Sequence, residues 1–352
     1  MARWTNWTAS CAGALVGFAA IFWAGCSEYA YIKHEGDDSF FQVEAGEVDV
    51  LLVVDNSCSM QPYQQELSEH FDYFLTYFIE GDVDYQIGVV TTSVTEPIAG
   101  GTCSESDVAA VPDAGELVDG IYITSDDDNG EEIFSDLVSV GICGSGYEMG
   151  LESAFRAVSS LADTTNAGFL REEAYLSIIF VSDEEDASPQ GVNDYINAFR
   201  EVKGQRSRDV FNASSLVVTD EEECTASQLA SGATQSERYV DVAEQTEGVI
   251  GNICAEDFTS IVTELSLASS RLTDTFYLSQ LPAASSLVVG IDGEEITCDT
   301  GEWTYVLGEY EGEPAGTIVF DREHMPPPSS RITAVYDLGD GDEADFCLGA
   351  SE

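Results

Sequence analysis

Two apolar runs in this chain each end in an aspartate, and that pairing restricts the fold more than any other feature. Val48-Asp49-Val50-Leu51-Leu52-Val53-Val54 leads into Asp55, and Ala174 to Ser182 leads into Asp183. Both runs are nearly continuous and rich in β-branched residues, the pattern of strands buried in a sheet. Helical spacing fills the intervals between strands. From Gln61 to Ile79, Leu67, Phe71, Phe74, Leu75 and Phe78 fall on one face. Further helices are expected from about Gly150 to Leu161, then over Val192–Val202, Tyr239–Gln245 and Phe258–Leu272. Asp84–Thr92 and Val210–Val218 read as strands, and Thr275–Leu278 as a short strand closing the unit.

This alternation predicts a doubly wound α/β fold over residues 47–280, a mainly parallel sheet with helices on both faces. Beyond it the pattern changes. Short strands such as Ser286–Ile291, Trp303–Val306, Thr317–Phe320 and Ile332–Tyr336 sit between Gly, Pro and Asp turns. Residues 281–352 therefore read as a small antiparallel β module with an acidic tail.

Charge narrows the partners. The chain carries 66 Asp and Glu against 12 Lys and Arg, a formal net charge of −54. That field repels nucleic acid and anionic membrane surfaces and attracts divalent cations. At 44% hydrophobic residues, a core forms readily.

The first 25 residues read as a signal peptide, because the apolar run Ala12–Trp23 is too short to span a membrane. Ala24-Gly25-Cys26 resembles the bacterial lipobox, which implies lipidation of Cys26. Trp23 departs from that pattern, since an aliphatic residue is usual there. Residues 26–46 read as a polar tether. The expected location is the bacterial cell envelope, exported and lipid-anchored, in the outer membrane.

After the signal, seven cysteines besides Cys26 remain. An exported chain uses them for disulfides. Cys224 with Cys254 brackets one loop-helix excursion, and Cys298 with Cys347 would staple the C-terminal region. Cys58, Cys103 and Cys143 compete, leaving one thiol over.

The chemistry gathers where the first run ends. Asp55-Asn56-Ser57-Cys58-Ser59 places a carboxylate and two hydroxyls at the C-terminal edge of a strand, where open α/β sheets bind ligands. A Gly-rich turn, Gly144-Ser145-Gly146-Tyr147-Glu148, opens the helix at Gly150, and Asp183 follows the second strand. An Asp-x-Ser-x-Ser loop, a hydroxyl-bearing turn and a third-loop Asp, in that order, resemble the metal-ion-dependent adhesion site of the von Willebrand factor type A (VWA) domain. The stretches around Asp55, Gly88, Gly144 and Asp183 look like a family of bacterial exported VWA lipoproteins.

That resemblance implies Asp55, Ser57, Ser59, Ser145 and Asp183 as metal ligands, with Glu148 as the rival to Ser145. Glu184 and Asp186, just past Asp183, are possible extra ligands. All-oxygen donors suit a hard divalent cation, Mg²⁺ or Ca²⁺. By resemblance the partner is a protein presenting a carboxylate to the ion. A carboxylate from within would instead close the site and make the ion a structural one. Cys58 stands where the family usually has Gly, and a bond to Cys143 or Cys103 would tie the loops together. An enzyme is not expected: the chain has no Gly-x-Ser-x-Gly elbow and no His-Glu-x-x-His. Ser125, Asp127, Asn129, Gly130 and Asp136 also fall at spacings loosely like those of a calcium loop.

Overall fold

The computed structural model describes residues 35–42, 46–81, 83–95, 102–204, 211–255, 257–298, 301–310, 313–321, 324–327, 330–339 and 341. The signal segment, Cys26 and Cys347 lie outside them, as does the acidic tail apart from Gly341.

The apolar runs form the middle of a six-stranded sheet. In chain order its strands are β2 (Glu47–Val54), β3 (Asp84–Thr91), β4 (Ile123–Thr124), β5 (Tyr175–Ser182), β6 (Phe211–Val217) and β7 (Ile250–Asn252). They lie side by side as β4-β3-β2-β5-β6-β7, all parallel except β4. Successive residues of β2 point to opposite faces. Val50, Leu52 and Val54 enter one core with Phe74, Phe78 and Leu265, while Leu51 and Val53 enter another with Leu151, Tyr195 and Phe199. Two cores on one sheet account for the unbroken apolar runs, because neither face of β2 or β5 meets water.

The helices cover both faces. They are α1 (Gln61–Glu69), α2 (Phe71–Glu80), a short α3 (Glu105–Val108), α4 (Gly130–Val138), α5 (Gly150–Val158), α6 (Val192–Val202), a short α7 (Ala226–Ser231), α8 (Glu237–Gln245) and α9 (Thr259–Ser270). The single helix expected from Gln61 to Ile79 is two. The backbone leaves the helical region at His70 (φ −110°, ψ 15°), although the apolar spacing runs on across the break.

From β2 the chain steps to β3 on one side, and β5 then pairs on the other. The strand order reverses there, opening a crevice between the C-terminal ends of β2 and β5. Asp55 and Asp183 sit at its two lips, and Asp55 N–H donates to Val181 O at 2.9 Å.

The antiparallel part differs from its sequence reading in two places. Residues 35–41, read as tether, form strand β1 (Glu35–Phe41), which pairs along its length with β13 (Arg331–Asp337). The segment expected to close the parallel sheet, β8 (Thr275–Tyr277), pairs instead with β12 (Glu313–Phe320). With β9 (Val288–Ile291), β10 (Glu294–Ile296) and β11 (Trp303–Tyr310), these strands make two sheets, β1-β13-β9-β10 and β11-β12-β8. A third core fills the space between them, built on Trp303, Phe276, Ile318, Phe320, Ile332 and Tyr336.

Cys103 bonds to Cys143, and Cys224 to Cys254. Cys298 is also in a disulfide. Cys58 is a free, exposed thiol and ties no loops together. Among the described residues, no helix is long and apolar enough to cross a membrane.

Candidate metal centre

Three carboxylates close on the crevice with almost no water around them. Asp55 and Asp183 are 0% exposed and Glu148 is 1% exposed. Asp55 is held from both sides: Ser57 N–H donates to Oδ1 and Ser182 Oγ–H to Oδ2, each at 2.7 Å. Its backbone carbonyl accepts from Gln64 Nε2 at 3.0 Å, and the same amide group reaches Gly141 O at 2.9 Å. Ser57 Oγ and Ser59 Oγ lie 3.0 Å apart, and Ser59 Oγ–H donates to Asp183 Oδ1 at 2.9 Å. A continuous path of oxygens thus runs from the first loop to the third.

Glu148 completes the set from the second loop. Thr92 Oγ1–H donates to its Oε2, and it shares a side-chain hydrogen bond with Asp55. Asp183 Oδ2 is without a hydrogen-bond partner. The backbone fixes this placement. Ser93 and Glu148 form a β-bridge, Met149 N–H donates to Thr92 O at 3.1 Å, and Ala187 N–H to Glu148 O at 2.6 Å.

Ser145 is buried, and its hydroxyl lies 2.6 Å from Thr95 Oγ1 and accepts from the N–H of Tyr147 at 3.1 Å. It joins the first loop indirectly, through Ser93, which accepts from Ser145 N–H and donates to Asn56 Oδ1, both at 2.8 Å. Gly144 belongs to the same joint: its N–H donates to Asn56 O at 2.9 Å, and a Cβ here would collide with the Asn56 amide.

Of the two extra acids, Asp186 is already engaged. Its Oδ2 accepts from Arg238 Nε at 2.9 Å, and its Oδ1 from Ser188 Oγ at 2.7 Å and from Leu151 N–H, in the first turn of α5, at 3.3 Å. It ties the third loop to a helix start and to Arg238 instead of facing an ion. Glu184 is half-buried and feels both Asp55 and Asp183.

The electrostatics follow from burial and like charge. Burial, then repulsion from Asp55, pushes Glu148 up to about 10 and Asp183 up to about 6. Glu184 rises to about 7 for the same reasons, and burial raises Asp55 as well. No lysine or arginine among the described residues pairs with Asp55, Glu148 or Asp183. Buried charges normally need partners, because removing an ion from water costs several kcal/mol. This group lacks one: Glu148 and Asp55 share a side-chain hydrogen bond, Asp183 Oδ2 has no partner, and an all-oxygen donor set of this kind fits a hard divalent cation. No three His, Cys, Asp or Glu side chains among the described residues converge closely enough to hold an ion alone. A ligand set here draws on hydroxyls as well.

The loosely calcium-like spacing after Ser125 does not form a comparable group. Asp127 Oδ2 accepts from Thr124 N–H and Oγ1–H, both at 2.8 Å, and Asp136 lies within α4. Ser182, Thr92 and Gln64 were not singled out as site residues from the sequence. Ser182 and Thr92 carried a signal, since each is a hydroxyl at the C-terminal end of a core strand.

No protein-family model matches the chain, and no curated protein does. Among solved structures, it is similar to the pilus adhesin SpaC from Lactobacillus rhamnosus GG, at 12% identity and a TM-score of 0.43, covering 89% of this chain and 43% of that one. It is also similar to proximal thread matrix protein 1 from the mussel byssus, in a structure with a zinc-occupied MIDAS motif. That match has 11% identity and a TM-score of 0.38, and covers 66% of this chain and 48% of the other. The chain thus spans less than half the length of either.

Proposed function

We propose that this is an exported, metal-dependent protein-binding module of adhesion type, anchored at the bacterial cell envelope through a lipid on Cys26. The observation that carries the reading is the buried group Asp55, Asp183 and Glu148, which lacks a basic partner and is joined by the Ser57 and Ser59 hydroxyls. Asp55, Ser57, Ser59 and Asp183 would hold Mg²⁺ or Ca²⁺, with Glu148 as the second-loop ligand. A divalent ion there supplies a positive centre to which a carboxylate of a partner protein can bind. The chain's own residues position that centre. Ser182 and the Ser57 N–H orient Asp55, Thr92 orients Glu148, and Gln64 clamps the first loop to the second. The role is binding and not catalysis.

Glu148 favours a second reading, a cell-envelope protein whose Ca²⁺ only stabilises the fold. A carboxylate in place of a hydroxyl neutralises more of the ion's charge and weakens its pull on an outside carboxylate.

Calorimetric titration of the mature chain with Mg²⁺ and Ca²⁺, wild type against Asp55→Ala, tests the site. Stoichiometric binding abolished by the substitution is the expected result. Equal binding by both proteins would reduce the ions to diffuse counterions of an acidic surface.

A further inference from the structure

At the opposite edge of the sheet, where β5 and β6 begin, lies a cleft of about 320 Å³. Arg200, near the end of α6, and Arg271, just past the end of α9, line it together with Tyr175, Phe211 and Asn212. Two guanidinium groups in one cleft are unusual in a chain with so few bases. The other described basic side chains are engaged: Arg156 with Glu152, Arg171 with Asp49 and Asp84, and Arg238 with Asp186. Lys203 donates to the Arg171 carbonyl and Arg331 to Ser39 Oγ. Arg200 and Arg271 make no ion pair among the described residues. They lie over aromatic rings instead, Arg271 4.5 Å from the centre of Tyr175 and Arg200 5.9 Å from that of Phe211.

A cation at a helix C-terminus is favourable without any ligand. Arg200 needs something more. Its Nε is buried with no hydrogen-bond partner. An unmet buried donor is costly, and more so when it is charged. An acceptor entering the cleft would answer the Arg200 Nε. Glu247 is the one acid among the lining residues, and it is exposed. With a formal charge of −54, the rest of the molecule repels anions, so an anion binds only where the fold builds a local exception.

We propose that this cleft binds a small oxyanion, a phosphate or a carboxylate, between Arg200 and Arg271. The planar forks of two arginines match such groups bidentately. The site is separate from the Asp55 crevice and independent of its ion.

The test is calorimetric titration of the full mature chain with inorganic phosphate and, in a second arm, acetate. A chelator is present so that no divalent ion can hold the anion, and ionic strength is matched with chloride. Wild type is compared with Arg200→Gln and Arg271→Gln. The expected result is a saturable heat with at least one of the two anions, its affinity at least tenfold weaker in either variant. Phosphate alone marks a phosphoryl ligand, and acetate as well marks a carboxylate. Arg271 is exposed, so its variant keeps the comparison valid even where Arg200→Gln does not fold. No saturable heat with either anion, or equal affinity in wild type and Arg271→Gln, overturns the proposal.

Discussion

Arg238 holds Asp186 at 2.9 Å, Nε to Oδ2, only three residues beyond Asp183, whose own Oδ2 has no partner. Two neighbouring acids of one loop therefore have different tasks. Asp186 fixes the loop to α5 and α8, while Asp183 keeps an oxygen without a hydrogen-bond partner. Arg238→Met should leave Asp186 buried and uncompensated, a loss of about 3–5 kcal/mol in urea unfolding. Adding Asp186→Asn should recover part of that loss.

Glu148 lies against Asp55 and shares a side-chain hydrogen bond with it. Burial and Asp55 keep Glu148 protonated in the metal-free fold, and taking up that proton costs stability at neutral pH; Glu148→Gln removes this cost, so the melting temperature in chelator should rise. With Ca²⁺ the same change removes a ligand, and affinity should fall about tenfold, or ~1.4 kcal/mol. Opposite signs in the two conditions identify Glu148 as a ligand. A fall in both would make it a packing residue only.

Acid titration carries the same information. Asp183 is raised to about 6 and Glu148 to about 10, from ordinary values of 3.8 and 4.5. Both hold their protons more tightly folded than unfolded. Their stabilisation is therefore complete below the unfolded values and is lost as pH rises through the folded ones. The acidic surface also destabilises as pH rises, but it does so with or without metal. The readout is the difference: the rise in melting temperature on adding Ca²⁺ to chelated protein should grow from about pH 4 towards about pH 10, as Asp183 and then Glu148 give up their protons to the ion. A rise independent of pH would detach the ion from these carboxylates.

The Cys103–Cys143 disulfide closes a 40-residue separation and ends one residue before Gly144, which bonds to Asn56. Replacing both cysteines by Ser should cost about 2–4 kcal/mol. It should also weaken Ca²⁺ binding, because the Gly144–Glu148 turn loses its nearest covalent anchor. Both are measurable on one preparation by urea unfolding and calorimetry.

The central strands were legible because each buries both faces and so reads as an unbroken apolar run. The Asp55 loop was legible because its motif directly follows one of them. Arg171 shows what was not. It bonds Asp49, a carboxylate inside the first apolar run, at 2.7 Å across 122 positions, and nothing local announces that pairing. Arg238 and Asp186 are a similar case. Strand β1, Glu-Gly-Asp-Asp-Ser-Phe-Phe, has no alternation and takes its conformation from β13. The break at His70 was hidden because the apolar spacing of α2 continues that of α1.

The pairing of β1 with β13 also has a mechanical consequence. A tension applied to the chain ahead of Glu35 meets β1 before it meets the parallel sheet. Seven residue pairs, Glu35–Asp337 to Phe41–Arg331, hold β1 in place. The small β sandwich would act as a shock absorber, and the rate at which β1 leaves β13 would set how long β2 and the Asp55 crevice stay shielded from the pull.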